Sequence, residues 1–397
     1  MGVCPENFTE VLEGLARICA PDPQKFLRQD GTFEPSWAPV FYNPRMVENR
    51  DIAVELIDYL ATETTREFVV VDPLAATGIR GIRTALEVGR TKGLKIYMGD
   101  ISDEAVELMK INVIRNGVED MVTVEKSDAN ELLYRLRRTG SSINYIDIDP
   151  FGSPVPFATA AIYTISKGGV VAFTATDLAV LEGKYRNKLL RRYGVAGTPS
   201  HVSKDIAVRI LLSYIARLAF SIDRYIEPIL SYVYKHYARV YVRVLKGASK
   251  TEEQMRQCLK PIRICVRCGL SFLEEQGVLC PLCGSQTIRI EPLWVCRTTH
   301  RDIIKNLAEK ASRKPWIAKT TKSLLDLLSK YAEIDAITIR LSLLARILRV
   351  NTPPKDKVIE CLRGIGHKAS RSPTYADGIV TCAPIQDVLQ CVKLSST

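Results

Sequence analysis

The 397-residue sequence has no apolar run that approaches a membrane span, and its first residues are not expected to be a secretion signal. A helical span needs about 20 predominantly apolar residues. The amino-terminal 20 residues carry Glu6, Glu10, Glu13 and Arg17, so they lack the apolar segment of a signal peptide. Glu6 also stands where a myristoylation motif requires Ser or Thr. We therefore expect a cytoplasmic protein.

Histidine is scarce, and the glycine pattern of dinucleotide sites is missing. The four histidines show no metal-ligand spacing among themselves and belong to no candidate triad, so we assign them no role. The loop at residues 73–81 follows an apolar strand and is rich in small residues, but it does not read G-x-G-x-x-G. A dinucleotide cofactor is disfavoured, because that pattern gives the backbone its close approach to the pyrophosphate.

Negative and positive charge are separated along the chain. Residues 1–183 contain 18 Lys and Arg against 27 Asp and Glu, a net charge of −9. Residues 184–397 contain 37 against 17, a net charge of +20, and residues 184–192 are especially basic. The first half suits a small-molecule site and the second suits a polyanion. The alternative for the second half is a merely solvated surface.

Apolar strands alternate with helical patterns through the acidic half, and an acid follows each strand. This alternation predicts a doubly wound parallel α/β sheet, in a chain long enough for two or three domains. The acids at or just beyond the strand ends are Asp72, Asp100, Asp128, Asp149 and Asp177. Any one could be a helix N-cap. Together they predict a ligand site, because such sheets bind ligands at the carboxyl edge.

The fourth strand ends in the string Asp149-Pro150-Phe151-Gly152. The Asp149 carboxylate and a backbone carbonyl can accept the two N–H bonds of an exocyclic amino group, and Phe151 can stack on the attached aromatic base. The carboxylate, the carbonyl and the ring could therefore bind an aromatic base that carries an amino group. The alternative is a strand that ends in a proline turn, with Asp149 capping the next helix.

Four cysteines have the spacing of a structural zinc site. Cys265, Cys268, Cys280 and Cys283 form a C-x2-C-x11-C-x2-C pattern within residues 263–290. Four thiolates would fill a tetrahedral ion and leave no catalytic position open, so we expect a structural Zn²⁺. Two disulfides are the alternative. The other seven cysteines, which lack paired spacing, are expected to be small buried apolar residues.

The remaining segments give coarser predictions. Residues 1–40 contain five prolines and are interpreted as irregular. A long amphipathic helix is expected at residues 203–222, and two strands within residues 229–245 are expected to complete the sheet. Helical patterns at residues 302–312, 322–331 and 337–348, followed by a short ribbon, suggest a winged-helix-like tail.

Together, these motifs resemble class I methyltransferases that use S-adenosylmethionine. Four strings are similar to those of the tRNA (guanine-26-N2)-dimethyltransferase family. They are Val40-Phe41-Tyr42-Asn43-Pro44-Arg45-Met46, Ala76-Thr77-Gly78-Ile79-Arg80-Gly81, Asp147-Ile148-Asp149-Pro150-Phe151-Gly152-Ser153-Pro154 and Thr174-Ala175-Thr176-Asp177. The resemblance is strong over residues 38–250 and weak at residues 370–384. It departs from the family pattern at residues 74–78 and 178–182 and leaves the segment before residue 38 unexplained.

The sequence and the resemblance together imply a domain organisation and a set of site residues. We expect a catalytic domain at residues 38–250 and a tRNA-binding domain at 251–397 that carries the zinc ribbon and the winged-helix-like tail, with residues 1–37 left as an N-terminal extension. The residues implied to contact S-adenosylmethionine are Arg50, Arg80, Asp100, Asp128 and Ala129. Asp100 would contact the ribose, and Asp128 with Ala129 the adenine. The residues implied to receive the flipped guanine are Asp149, Pro150, Phe151 and Phe41.

The implied reaction is direct in-line methylation of the N2 amino group of guanine 26 in tRNA, giving N2-methyl- and N2,N2-dimethylguanosine. No obligate protein partner is evident from the sequence. Two alternatives stay open at this point. One is an amino-methyltransferase that acts on another RNA base, and the other is a zinc-ribbon nucleic-acid-binding protein with an inactive sheet.

Overall fold

The computed structural model describes residues 3–64, 67–89 and 93–396. The chain divides into two compact units. The first comprises Met1–Pro150, Pro156–Phe173 and Asn306–Ser323, and the second comprises Phe151–Val155, Thr174–Lys305 and Leu324–Thr397. Within the described ranges, every helix is too short or too polar to span a bilayer. The expected cytoplasmic location stays a prediction.

The first unit begins with a β-hairpin, so the interpretation of residues 1–40 as irregular was wrong. Strands β1, Phe8–Glu13, and β2, Ala16–Pro21, pair antiparallel, with Glu13 opposite Ala16. The two-residue turn needs a left-handed first residue, and Gly14 provides it with a φ of 59°. The prolines that suggested irregular structure leave the ladder intact, because Pro5 precedes it and Pro21 is its last residue.

Five parallel strands with intervening helices follow the hairpin. The strands are β3 Phe68–Asp72, β4 Leu94–Asp100, β5 Val122–Lys126, β6 Ile143–Ile148 and β7 Val170–Ala175. The helices are α1 Val47–Thr62, α2 Ile79–Val88, α3 Asp103–Asn116, α4 Ala129–Arg138 and α5 Val155–Thr164. All residues of β3 and β7 are buried, as expected of central parallel strands.

The large sheet is mixed and has seven strands in the order β5-β4-β3-β6-β7-β9-β8. Strands β8, Arg224–Tyr234, and β9, Tyr237–Lys246, form the antiparallel pair predicted to complete it. The order reverses direction between β3 and β6, which is the position where open α/β sheets bind ligands. The predicted α/β fold class is confirmed.

The second unit contains the basic half of the chain except for residues 306–323. Its helices before the zinc-ribbon segment are α6 Leu178–Leu181, α7 Arg186–Tyr193, α8 Ser203–Phe220 and α9 Ala248–Cys258. Strands β10 Leu259–Cys265, β11 Ser271–Leu273 and β12 Thr287–Trp294 form a three-stranded sheet with β10 in the centre. Cys265 is the last residue of β10, and the other three cysteines of the segment lie in the loops that connect β10, β11 and β12.

The carboxyl-terminal region alternates helices with short strands. Helices α10, Arg301–Arg313, and α11, Lys319–Ala332, contain the points at which the chain passes between the units. The remaining elements are β13 Ile339–Arg340, α12 Leu341–Leu348, α13 Lys355–Gly364, β14 Ala369–Arg371, β15 Gly378–Thr381 and α14 Ile385–Leu394. The helix predicted at residues 337–348 begins only at Leu341, because Ile339 and Arg340 pair with β15.

Three disulfides correct the prediction for most of the unpaired cysteines. The pairs are Cys4–Cys19, Cys258–Cys296 and Cys361–Cys391, whose Cα atoms lie 5.5, 5.0 and 5.7 Å apart. The paired cysteines are 15, 38 and 30 residues apart and belong to no local sequence motif, so they meet only in the folded chain. Cys382 is exposed rather than buried.

Candidate active site

The loop after β3 is tied to the end of β4 by Asp100. The backbone N–H of Ala75 donates to the Gly99 carbonyl over 2.9 Å, and the N–H of Ala76 donates to Asp100 Oδ2 over 3.0 Å. Ala76 has a φ of 49°, a left-handed conformation that costs a non-glycine residue energy and often marks functional loops. Asp100 therefore stabilises a strained loop at the sheet edge.

Two other predicted cofactor residues begin helix α4. Asp128 is its N-cap, and Asp128 Oδ1 accepts the backbone N–H groups of Asn130 and Glu131 over 2.8 and 3.2 Å. Ala129 is buried as the first residue of the helix. Asp128 thus has the capping role that the sequence allowed, at an exposed position beside the sheet edge.

Arg80 joins three of the strand-end carboxylates. Its guanidinium forms ion pairs with Asp72 over 3.5 Å and with Asp147 over 2.9 Å, and it also pairs with Asp149. Arg80 Nη2 donates to Asn49 Oδ1 over 3.1 Å. The Asp149 side chain keeps 13% of its surface exposed, whereas that of Asp147 keeps none. Asp149 is thus the carboxylate of this pair that faces solvent.

The carboxylates of this cluster outnumber its guanidinium groups. Burial raises the pKa of Asp72 to about 7, and the neighbouring Asp147 and Asp149 add to the rise while Arg80 opposes it. The excess of negative charge favours a cation beside these side chains.

The aromatic side chains predicted to stack on the base are exposed. Phe151 has 82% of its surface accessible and Phe41 has 38%, whereas Pro150 is buried. Exposed aromatic rings of this kind can stack on a flat ligand such as a base. The boundary between the two units lies directly after Pro150, within the motif.

Thr176 fixes the loop that follows Phe151, a role the sequence did not reveal. The N–H of Gly152 donates to Thr176 Oγ1 over 2.8 Å, and the N–H of Thr176 donates to the Gly152 carbonyl over 2.8 Å. Gly152 has a φ of 94°, which favours glycine here. Thr176 belongs to the string Thr174-Ala175-Thr176-Asp177, which the resemblance includes. The sequence did not indicate its hydrogen bonds to Gly152.

Arg50 is buried and ion-paired to a residue that sequence reasoning missed. Arg50 Nε and Nη2 donate to the two carboxylate oxygens of Glu13 over 2.7 and 2.6 Å. Arg50 Nη2 also donates to the carbonyl of Asn43 over 3.1 Å. Glu13 lies in the hairpin, and no local motif in the sequence links it to Arg50.

The four-cysteine segment forms a compact sulfur cluster. The Sγ atoms of Cys265, Cys268, Cys280 and Cys283 all lie within 4.8 Å of one another, and two of the contacts measure 3.5 and 3.6 Å. Tetrahedral zinc with Zn–S bonds of about 2.3 Å requires sulfur separations of about 3.8 Å. The N–H groups of Arg267 and Cys268 donate to Cys265 Sγ, as commonly found around a metal-bound thiolate. The cluster could hold a metal ion.

Comparison with known proteins identifies the family. The sequence profile of the N2,N2-dimethylguanosine tRNA methyltransferases matches residues 16–393. The chain belongs to this family. A tRNA (guanine(26)-N(2))-dimethyltransferase of Saccharolobus islandicus is 37% identical over 98% of the chain and 99% of its own length. That of Aeropyrum pernix is 36% identical over 99% of the chain and 98% of its own.

A solved structure of a family member has the same fold. The complex of Trm1 from Pyrococcus horikoshii with S-adenosyl-L-methionine superimposes with a TM-score of 0.80 and 31% identity. The match covers 97% of this chain and 99% of that one. The predicted family and the Rossmann-like methyltransferase fold are therefore both confirmed.

Proposed function

We propose that the protein is an enzyme that methylates the N2 amino group of guanine 26 in tRNA, with S-adenosylmethionine as the donor. Membership of the N2,N2-dimethylguanosine tRNA methyltransferase family supports this reaction class. The names of the relatives specify guanine 26, and the similar Pyrococcus chain was solved with S-adenosylmethionine. The observation that carries the proposal is Asp149, a partly exposed carboxylate at the sheet edge that is held by Arg80.

The donor is proposed to bind along the edge formed by β3, β4 and β5. Asp100 would accept the ribose hydroxyls, and Asp128 with Ala129 would contact the adenine. Arg50 and Arg80 would lie toward the methionine part. The donor supplies an electrophilic methyl group on a sulfonium cation. The excess of carboxylates over guanidinium groups around Asp72, Asp147 and Asp149 supports a site that accepts that positive charge.

The guanine is proposed to lie between Asp149 and the exposed aromatic rings. The Asp149 carboxylate and the carbonyl of Pro150 would accept the two N–H bonds of N2, and Phe151 with Phe41 would stack on the base. These bonds would direct the N2 lone pair, which is otherwise delocalised into the ring. When N2 bonds to the methyl carbon, the bond from that carbon to the donor sulfur would break and leave a neutral thioether. N2 would also lose a proton, which Asp149 can accept. Orientation supplies much of the acceleration, as oriented groups reach gains of about 7–11 kcal/mol.

The tRNA is proposed to be held by the basic second half. Guanine 26 must leave its stack to reach the sheet edge, and unstacking costs a few kcal/mol. Helix α7 carries Arg186, Lys188, Arg191 and Arg192, and Arg192 is fixed by an ion pair of 2.6 Å to Asp177. Phosphate contacts from such residues stabilise the complex without reading the sequence.

The four-cysteine cluster is proposed to hold a structural Zn²⁺ through Cys265, Cys268, Cys280 and Cys283. Three of the four thiols are buried, and they belong to an apolar cluster that includes Leu341, Leu344 and Val358. The ion would link the knuckles of the ribbon. It would take no part in methyl transfer, because the cysteines fill its coordination sphere.

The change Asp149→Ala tests the proposal. Arg80 keeps Asp72 and Asp147 as partners, so the fold should survive. We expect single-turnover methyl transfer to fall by about a hundredfold or more, while the Kd for S-adenosylmethionine changes by less than about fivefold. Asp103→Ala removes an exposed acid from the start of α3 and serves as the control. Near wild-type turnover in Asp149→Ala would refute the assignment.

A further inference from the structure

The carboxylate of Glu13 is shared by three side chains of the first unit. It accepts four hydrogen bonds: from Tyr42 Oη over 3.0 Å, from Arg50 Nε and Nη2 over 2.7 and 2.6 Å, and from Arg83 Nη1 over 3.0 Å. Glu13 is 7% exposed although it ends a strand of a terminal hairpin. A buried carboxylate with this many donors fixes the groups around it.

The three donors come from elements that border the proposed site. Tyr42 follows Phe41 directly, Arg50 lies on α1, and Arg83 lies on α2, whose first residue follows the loop at residues 73–78. The Arg50 guanidinium also lies over the Tyr42 ring, 5.2 Å from its centre. Through these hydrogen bonds, Glu13 links the segment of Phe41 and Tyr42 to α1 and α2.

The hairpin fits closely against α2 and the loop at residues 73–78. A Cβ on Gly14 would lie 2.0 Å from Glu87 Oε1 and 2.4 Å from Arg83 Nε, so the turn admits no larger residue without displacing them. On the next strand, the N–H of Cys19 donates to Asn112 Oδ1 over 2.7 Å. Asn112 Nδ2 in turn donates to the Thr77 carbonyl over 3.0 Å. Asn112 therefore links the hairpin to the loop at residues 73–78.

Arg50 and Arg83 depend on Glu13 to different degrees. Arg83 keeps ion pairs of 2.6 Å with Asp51 and 2.7 Å with Glu87. Among the described residues, Glu13 is the carboxylate that pairs with Arg50, whose remaining acceptor is the Asn43 carbonyl. Removal of the Glu13 charge should therefore free Arg50 first.

We propose that Glu13 is a positioning residue that holds the Arg50 guanidinium in place for the carboxylate of the methyl donor. The inference rests on the proposed function. Glu13 uses Nε and Nη2 of Arg50, and Nη1 has no hydrogen-bond partner among the described residues. A guanidinium with one side fixed by a carboxylate and the other side available suits a second carboxylate. This positioning role of Glu13 also gives a function to the hairpin, which lies before residue 38.

The change Glu13→Gln keeps the side-chain shape and removes its charge. We expect the Kd and the KM for S-adenosylmethionine to rise by about tenfold, as for the loss of one charge-assisted contact. The affinity for 5′-methylthioadenosine, which has the nucleoside but no carboxylate, should change by less than about twofold. The kcat at saturating donor should stay within about threefold of wild type.

The control is Glu10→Gln, a change in the same strand. Glu10 pairs with Arg17 and Arg115, away from Arg50, so both affinities should remain at wild-type values. If Glu13→Gln does not fold, Glu13→Asp keeps the charge with a shorter reach, and the same selective loss is expected. Equal weakening of both ligands, or unchanged donor affinity, would overturn the proposal. Failure of the wild-type protein to bind S-adenosylmethionine would instead refute the proposed function.

Discussion

Two arginine side chains organise the acidic groups of the first unit. Arg80 contacts Asp72, Asp147 and Asp149, and Arg50 contacts Glu13. The two sites differ in charge balance, because Arg80 faces three carboxylates, whereas Glu13 faces two guanidinium groups. The first arrangement leaves negative charge for a cationic donor. In the second, Asp51 and Glu87 also neutralise Arg83, and it is Nη1 of Arg50 that stays available for a carboxylate among the described residues.

The charge of Glu13 should make the fold sensitive to acid. Burial opposes its ionisation, but Arg50 and Arg83 outweigh burial and lower the pKa of the Glu13 carboxyl from 4.5 to about 2. A carboxyl with a lowered folded-state pKa stabilises the fold above its unfolded pKa. That stability is lost as the pH falls toward the folded value. The shift corresponds to about 3 kcal/mol in the free energy of unfolding.

Denaturant unfolding between pH 5 and pH 2.5 measures this effect, since these values span most of the range between about 4.5 and about 2 in which the two states bind protons differently. The wild-type free energy of unfolding should fall more steeply than that of Glu13→Gln, whose side chain does not titrate. The starting stability of the variant should be lower, because Arg50 loses its buried partner. Parallel acid profiles for the two proteins would contradict the assigned pKa.

At the scale of elements, the parallel strands could be predicted because burial makes them continuously apolar. Phe68–Asp72 and Val170–Ala175 are examples. The hairpin at Phe8–Pro21 could not be recognised in the same way, since its strands mix charged and apolar residues. Its stability comes from contacts with α2 and α3, which a reading of local pattern does not include.

The cysteines show the same difference between local and long-range information. The C-x2-C pairs bring ligands together through a short turn, so spacing alone predicted the cluster of Cys265, Cys268, Cys280 and Cys283. The Cys258–Cys296 disulfide joins the end of α9 to the segment after β12, across 38 residues. Nothing in the spacing of these two residues indicates that they meet.

The zinc proposal predicts a defined effect of one cysteine. Cys280→Ser should remove one equivalent of zinc per chain, as measured by metal analysis of the purified protein. The apolar cluster around the thiols should lose support, so the Tm should fall and tRNA binding should weaken. S-adenosylmethionine binding should persist. Cys382→Ser, at an exposed free thiol, is the control. An unchanged zinc content in Cys280→Ser would exclude the site.

At the scale of the whole molecule, charge separates the roles of the two halves of the sequence. The net charge of +20 in residues 184–397 should give tRNA binding a steep salt dependence. We expect log Kd to rise with log salt concentration with a slope of about 3 or more, whereas donor binding should vary little. Filter binding over a salt series measures the slope. Tight binding that is independent of salt would contradict the proposal.

A double change tests which residues contribute to the slope. Arg186→Ala with Lys188→Ala on α7 should lower it by about 1–2 and weaken binding to all tRNAs alike. The control, Lys95→Ala, removes an exposed lysine from the acidic half and should leave the slope unchanged.

Much of the candidate site could also be predicted, because strand ends are linear features of the sequence. Asp149 and Asp100 lie where the strand pattern predicted them. The contacts of the site residues could not be predicted. Arg80 meets Asp149, Asn49 meets Arg80, and Glu13 meets Arg50 only in the folded chain. The prediction from sequence thus reached the edge of the sheet but not the side chains that orient its acids.

The most direct test is methyl transfer from labelled S-adenosylmethionine to tRNA transcripts that differ only in having guanine or adenine at position 26. Nucleoside analysis should find N2-methyl- and N2,N2-dimethylguanosine with the guanine transcript and no label with the adenine transcript. Equal labelling of both transcripts would contradict the proposed target and favour another RNA base. No labelling of either RNA would contradict the proposed enzyme and favour a protein that only binds nucleic acid.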